Sequence, residues 1–161
     1  MAEIAGSARA PAKQRVAIVV SRYNEVVTRR LLDGARQCFA EHRVGEDVVD
    51  VIWVPGAFEL PVAAEAAAAT GRYAAIVALG CVIRGETPHF DVLAAETTRG
   101  LGNVALAHRV AVGFGVLTTE SLAQAQARAG GAAGNKGYEA AEAALRTADV
   151  LAQVSRAAPR D

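Results

Sequence analysis

The chain has 161 residues, 52% of them apolar, and its 17 basic residues balance 17 acidic ones. That length suits one domain with a real core, and the composition excludes a disordered chain. The charge balance gives no electrostatic reason to expect nucleic acid or an anionic membrane as partner, and the short, interrupted apolar runs would not span a bilayer.

The first dozen residues, with Gly6, Ser7 and Pro11, read as a loose arm, and "MAEIAGSARAPAKQR" lacks the apolar region of a secretory signal. The expected location is cytoplasmic. Cys38 and Cys81 make neither a disulfide framework nor a metal clip, so two reduced thiols and no metal are expected. "RVAIVV" (15–20) is a short β-branched run that reads as a buried strand entering the polar "SRYNE". Val27, Leu31, Ala35 and Phe39 mark one face of a helix that stops near Gly45. "VVDVIWV" (48–54) is a second strand, cut off by Pro55 and Gly56. The Ala-rich "ELPVAAEAAAAT" is a second helix, with Pro61 in its first turn and Gly71 after its end.

"AAIVALGCVI" (74–83) is the third strand, followed by a helix from about His89 to His108 and a fourth strand, "VAVGFGVLTT" (110–119). Ser121 caps "LAQAQARA", and after the glycine-rich "GGAAGNKG" a last helix runs from about Tyr138 to Val154. Strands alternating with helices predict an α/β fold, a three-layer doubly wound sandwich on a four-stranded parallel sheet. The predicted organisation is a flexible arm (1–14), one domain (15–155) and a C-terminal tail (156–161).

Ligands of such sheets bind outside the carboxyl ends of the strands, where strand order reverses. Those ends are "SRYNE", "VPGAFE", "CVIRGETPHF" and "GVLTTE", all polar or aromatic. The third is the densest: Arg84, Glu86, His89 and Asp91 crowd between a buried strand and a helix. A core has no use for four ionisable groups, so something must sit in front of this loop. It is no dinucleotide, because "SRYNE" has no glycine to let backbone approach a pyrophosphate. No GxxxxGK[ST] occurs, and the acidic cluster of a phosphorelay receiver is missing after the first strand.

"SRYNE", "WVPGAFELP", "LGCVIRGETPHFD", "GVLTTE" and "RAGGAAGNKG" occur in this order at the expected element ends. Together they closely resemble the 6,7-dimethyl-8-ribityllumazine synthase family over residues 15 to 155. The resemblance implies a flavodoxin-like strand order and a transferase of the penultimate step of riboflavin biosynthesis. That enzyme condenses 5-amino-6-(D-ribitylamino)uracil with 3,4-dihydroxy-2-butanone 4-phosphate, releasing the lumazine, phosphate and water. It needs no cofactor, because the amine of one substrate attacks the ketone of the other.

The same resemblance implies the site. Tyr23, where relatives usually carry Phe or Trp, stacks on the pyrimidine. Ala57, Phe58 and Glu59 meet the ribityl hydroxyls, and the backbone amides of Cys81, Val82 and Ile83 meet the uracil edge. Gly85, Glu86 and Thr87 form an anion nest for phosphate, with the Glu86 side chain turned away. His89 is the expected catalytic proton carrier, oriented by Asp91 or Glu96. Phe114 and Arg128 come from the neighbouring subunit, Phe114 over the pyrimidine and Arg128 on phosphate as the second catalytic residue, with Lys136 adding positive field. Arg84 is equally readable as a structural ion pair. Ala132 stands where many relatives have Lys.

The resemblance further implies a homo-oligomer, a pentamer that assembles into a sixty-subunit icosahedral shell, with the arm adding a strand to a neighbour's sheet. It also implies a functional link to riboflavin synthase. Two other readings use the same fold: a carrier that binds lumazine or flavin without turnover, and a purely shell-forming protein. His89 and Arg128 favour the enzyme, since neither alternative needs them.

Overall fold

The structure is a computed structural model that describes residues 1–157. The elements run β1 (Arg15–Ser21), α1 (Glu25–Glu41), β2 (Val49–Val54), α2 (Leu60–Ala69), β3 (Tyr73–Ile83), α3 (His89–His108) and β4 (Ala111–Thr119). They continue with α4 (Leu122–Ala127), β5 (Ala129–Gly131), β6 (Gly134–Asn135) and α5 (Lys136–Ala157). β1 to β4 form one parallel sheet in the order β2-β1-β3-β4, the flavodoxin-like order.

Strand alternation divides the core into two layers. Val16, Ile18, Val20, Val77, Leu79 and Cys81 face Leu31, Ala35, Phe39, Ala141 and Leu145 of α1 and α5. Ala17, Val19, Ile76, Ala78 and Val82 face Leu60, Ala64, Phe90, Leu101 and Val104 of α2 and α3. α3 presents Phe90, Thr97, Leu101 and Val104 at helical spacing toward that layer. α1 and α5 pack so closely that a side chain on Gly137 would collide with the Leu31 carbonyl. Both faces of the sheet are covered, as the near-continuous apolar strands predict.

Three features depart from the expectations. The stretch around "GGAAGNKG" is a small antiparallel hairpin, β5 to β6, rather than an irregular loop. Asn135 then caps α5: its carbonyl Oδ1 accepts from the Gly137 and Tyr138 amides at 2.9 and 3.3 Å. Its Nδ2 donates to the Arg30 carbonyl at 2.9 Å, tying the cap to α1. The cap starts α5 earlier than Tyr138, and the helix runs on through Ala157, into the predicted tail, whose residues 158–161 lie outside the described residues.

Residues 1–14 form no regular element, yet they are fastened along α5. The Ser7 amide and Arg9 Nε each donate to the Asp149 carboxylate at 2.9 Å. The Ser7 amide and the Arg9 guanidinium hold that carboxyl below its ordinary range. Among the described residues, no helix is long and apolar enough to cross a membrane.

Candidate active site at the switch point of the sheet

Strand order reverses between β1 and β3, so the crevice at their carboxyl ends is the place for a ligand. A cavity of about 720 Å³ opens there, within the range of small-molecule pockets. Tyr23 reaches it from the end of β1, Ala57, Phe58 and Glu59 from the turn before α2, and Cys81, Val82 and Ile83 from the end of β3. Thr87 and His89 come from the turn before α3 and from its first residue. Gly56, Gly85, Phe90, Val92, Leu93 and Glu96 complete the wall.

The overhang of β3 explains the shape. β3 pairs with β1 only as far as Leu79 against Val20, while its pairing with β4 continues to Ile83. Residues 80–83 therefore present a strand edge to the cavity instead of to another strand. Asn24 takes up part of it, its Nδ2 donating to the Cys81 carbonyl at 2.9 Å. Backbone groups of alternate residues point to opposite sides of a strand. With the Cys81 carbonyl turned toward β1, the backbone groups of Ile83 face the same way and those of Val82 face β4. The Arg84 amide, donating to the Thr119 carbonyl of β4 at 2.9 Å, has the parity this requires. Val82 thus lines the cavity with its buried side chain.

Asn24 itself stands in the left-handed region, φ 58°, immediately before α1. Asparagine tolerates that region better than most side chains. The bend leaves Tyr23 at the cavity with 73% of its surface exposed; Phe58, also in the wall, is 65% exposed. Two open aromatic faces on a concave site suit a flat heteroaromatic ring. Behind Phe58, the buried Thr97 hydroxyl donates to the Ala57 carbonyl at 3.3 Å and ties the turn before α2 to α3. The Cys81 thiol is pushed up to about 11 by burial, which keeps it protonated and gives it no nucleophilic part.

The expected partners of His89 are engaged elsewhere. Asp91 accepts from Arg84 Nη1 and Nη2 at 3.2 and 3.1 Å, and Glu96 is held by Arg99. Neither orients the imidazole, because each has a guanidinium within reach that binds it with charge-assisted hydrogen bonds. The ring stands exposed at the start of α3, and it lines the cavity. Arg84 is the structural ion-pair residue, holding Asp91 and Glu120 together.

Four of the expected residues do not line this cavity. Glu86 is exposed on the loop outside it. Phe114, at the middle of the edge strand β4, is 46% exposed. Arg128 sits at the end of α4 and donates to the Gln124 carbonyl at 3.1 Å. Lys136 pairs with Glu139 at 2.6 Å. The cavity wall of a single chain contains Glu59, Glu96 and His89 but neither Arg nor Lys. An anionic ligand would find no fixed positive charge in it. Among the described residues, no three His, Cys, Asp or Glu side chains stand close enough to hold a metal ion.

Sequence reasoning missed Asn24, Phe90, Val92 and Leu93 as wall and support. A signal for Asn24 existed: an asparagine directly before a helix is suited to a left-handed residue. The apolar residues of α3 carried none, since a helix wall of a cavity and a helix face of a core share one periodicity.

Residues 13–152 match the family model of 6,7-dimethyl-8-ribityllumazine synthase, which is most of the chain and includes every element that builds the cavity. The chain therefore belongs to the lumazine synthase family, transferases of riboflavin biosynthesis.

Proposed function

We propose that the protein condenses 5-amino-6-(D-ribitylamino)uracil with 3,4-dihydroxy-2-butanone 4-phosphate to 6,7-dimethyl-8-ribityllumazine. The carrying observation is a cavity with two open aromatic faces, a strand edge and a histidine, in a chain of this family. Tyr23 stacks on the pyrimidine, and the backbone of Cys81 and Ile83 meets the uracil edge. Ala57, Phe58 and Glu59 take the ribityl chain, while the loop of Gly85, Glu86 and Thr87 offers backbone N–H groups to phosphate.

The amine attacks the ketone and loses water, phosphate leaves, and the ribitylamino nitrogen closes the ring with loss of a second water. Each step moves a proton, and imidazole gives and takes protons near neutral pH. His89 carries them at the wall. Most of the rate comes from holding both substrates in reacting geometry. Nothing in this sequence of steps calls on a cofactor.

The missing cation supports a site shared between subunits. Phosphate needs a positive partner, and Arg128 and Lys136 lie outside their own cavity. Arg128 of one subunit therefore serves the phosphate in the next, with Phe114 over the pyrimidine and Lys136 nearby. A ring of this kind uses a heterologous, closing interface, and we propose a pentamer. We further propose that pentamers assemble into a sixty-subunit shell. β2 is an edge strand with an open outer side, which the arm of a neighbour would cover on leaving its own α5. The product would pass to riboflavin synthase. We place the reaction in the cytoplasm.

The test is direct. Purified protein incubated with both substrates should form lumazine, followed by its absorbance or fluorescence, without added metal or cofactor. Binding of lumazine with no turnover would instead favour the carrier reading.

A further inference from the structure

Resting on the condensation reading, we infer that Arg84 is a positioning residue for His89, setting the first turn of α3 against the end of β3. The need for such a device is visible locally. α3 starts at Pro88–His89 without a side-chain cap, and the loop before it contains Gly85, with open space around it. Such a turn has little of its own to fix the direction of its first residue.

Arg84 supplies the missing constraint from the sheet side. Its amide donates to the Thr119 carbonyl at 2.9 Å, which makes its backbone an extension of the β3–β4 ladder. Its Nε donates to both Glu120 oxygens at 2.9 and 3.1 Å, fixing the guanidinium to the end of β4. The remaining two nitrogens grip Asp91 in the first turn of α3 at 3.1 and 3.2 Å. The guanidinium also lies 4.3 Å from the centre of the Phe90 ring, a buried residue of the cavity wall. Residues 90 and 91 are thereby held from both sides, and His89 is the next residue in the chain.

This geometry separates positioning from the other roles an arginine beside a phosphate loop could take. Every nitrogen of the fork already donates to a carboxylate, and the two carboxylates offset its charge, so a substrate phosphate meets no free cation there. The ion pairs are exposed, and exposed pairs contribute little to stability. What the fork supplies is direction, because a planar guanidinium can bridge two carboxylates at fixed angles and a lysine cannot.

Arg84→Gln and Arg84→Lys in the full chain test the inference, each made with His89 intact and with His89→Ala. Arg84→Gln is expected to lower kcat roughly tenfold, the scale of a small misplacement of a catalytic group, with KM for both substrates little changed. In the His89→Ala background the same change should cost less than about twofold, since residues acting through one another are not additive. Arg84→Lys, which keeps the charge and loses the fork, should behave like Arg84→Gln. Amide exchange over residues 89–95 should accelerate about tenfold in both variants while β1 and β3 keep their protection.

Equal losses in both backgrounds, a loss confined to KM, full rescue by lysine, or unchanged exchange over 89–95 would each overturn the inference. A parent protein that forms no lumazine would refute the condensation reading by itself. The exchange measurement would still decide whether Arg84 fixes the turn.

Discussion

The Asn24 side chain donates to the Cys81 carbonyl at 2.9 Å, joining the loop after β1 to the overhanging end of β3 across the switch point of the sheet. This bond and that of the Tyr23 amide to the Pro55 carbonyl at 3.0 Å together hold the loop that carries Tyr23. Asn24→Ala removes the bond and leaves an unfavourable left-handed alanine, and it is expected to destabilise the fold by about 1–3 kcal/mol. Asn24→Gly keeps the backbone geometry and loses only the bond, so it should cost less. Urea denaturation of the two variants measures the order, and KM for the uracil substrate should rise in both.

The chemistry divides between two residues. His89→Ala should slow turnover roughly ten- to a hundredfold, less than many general acid–base residues supply, because proximity carries much of the rate. Arg128→Ala should weaken binding of the butanone phosphate by about 2–3 kcal/mol, the worth of a charge-assisted pair. Steady-state kinetics with each substrate varied separates the effects. An unchanged KM for the phosphate substrate in Arg128→Ala would remove Arg128 from the site.

Acid stability depends on the opposite end of the sheet. Arg15 Nε and Nη2 hold the Asp50 carboxylate at 2.6 and 2.7 Å, and the Tyr73 hydroxyl donates to it at 2.8 Å. The Arg15 hydrogen bonds lead in pulling the Asp50 carboxyl down to about 2. An unfolded aspartate titrates near about 3.9. The stabilisation is therefore full above about 3.9 and is lost as pH falls through the folded value. Asp50→Asn should be less stable than the parent at neutral pH, and the gap in urea midpoint should close between about pH 4 and pH 2.

Much of the fold was legible because its signals are local. "RVAIVV" and "AAIVALGCVI" are β-branched and apolar enough to declare buried strands, and Val27, Leu31, Ala35 and Phe39 declare a helix face. The hairpin of β5 and β6 was not, since glycines that permit a turn do not say whether its arms will pair. At the site, Tyr23, Phe58 and His89 were readable from the motifs at strand ends and meet at one cavity. The engagement of Asp91 by Arg84 depends on a guanidinium that also reaches Glu120, which lies 36 positions along the chain from Arg84. Spacing along the chain does not encode that. Nor does it encode that Phe114 and Arg128 stand outside their own cavity, which the family resemblance implied and the folded chain displays.

The central claim, a condensing site completed by a neighbour, is tested most directly by co-expressing His89→Ala and Arg128→Ala chains and measuring lumazine formation by the mixed assemblies. In a shared site, His89 of one chain meets Arg128 of the next. Random mixing in equal amounts then rebuilds about a quarter of the sites with both residues intact, because the interface is heterologous. The account predicts activity near that fraction of the parent's, well above either variant alone. Activity no higher than the average of the two variants would place His89 and Arg128 in the same subunit's site, or in no common site, and would contradict it.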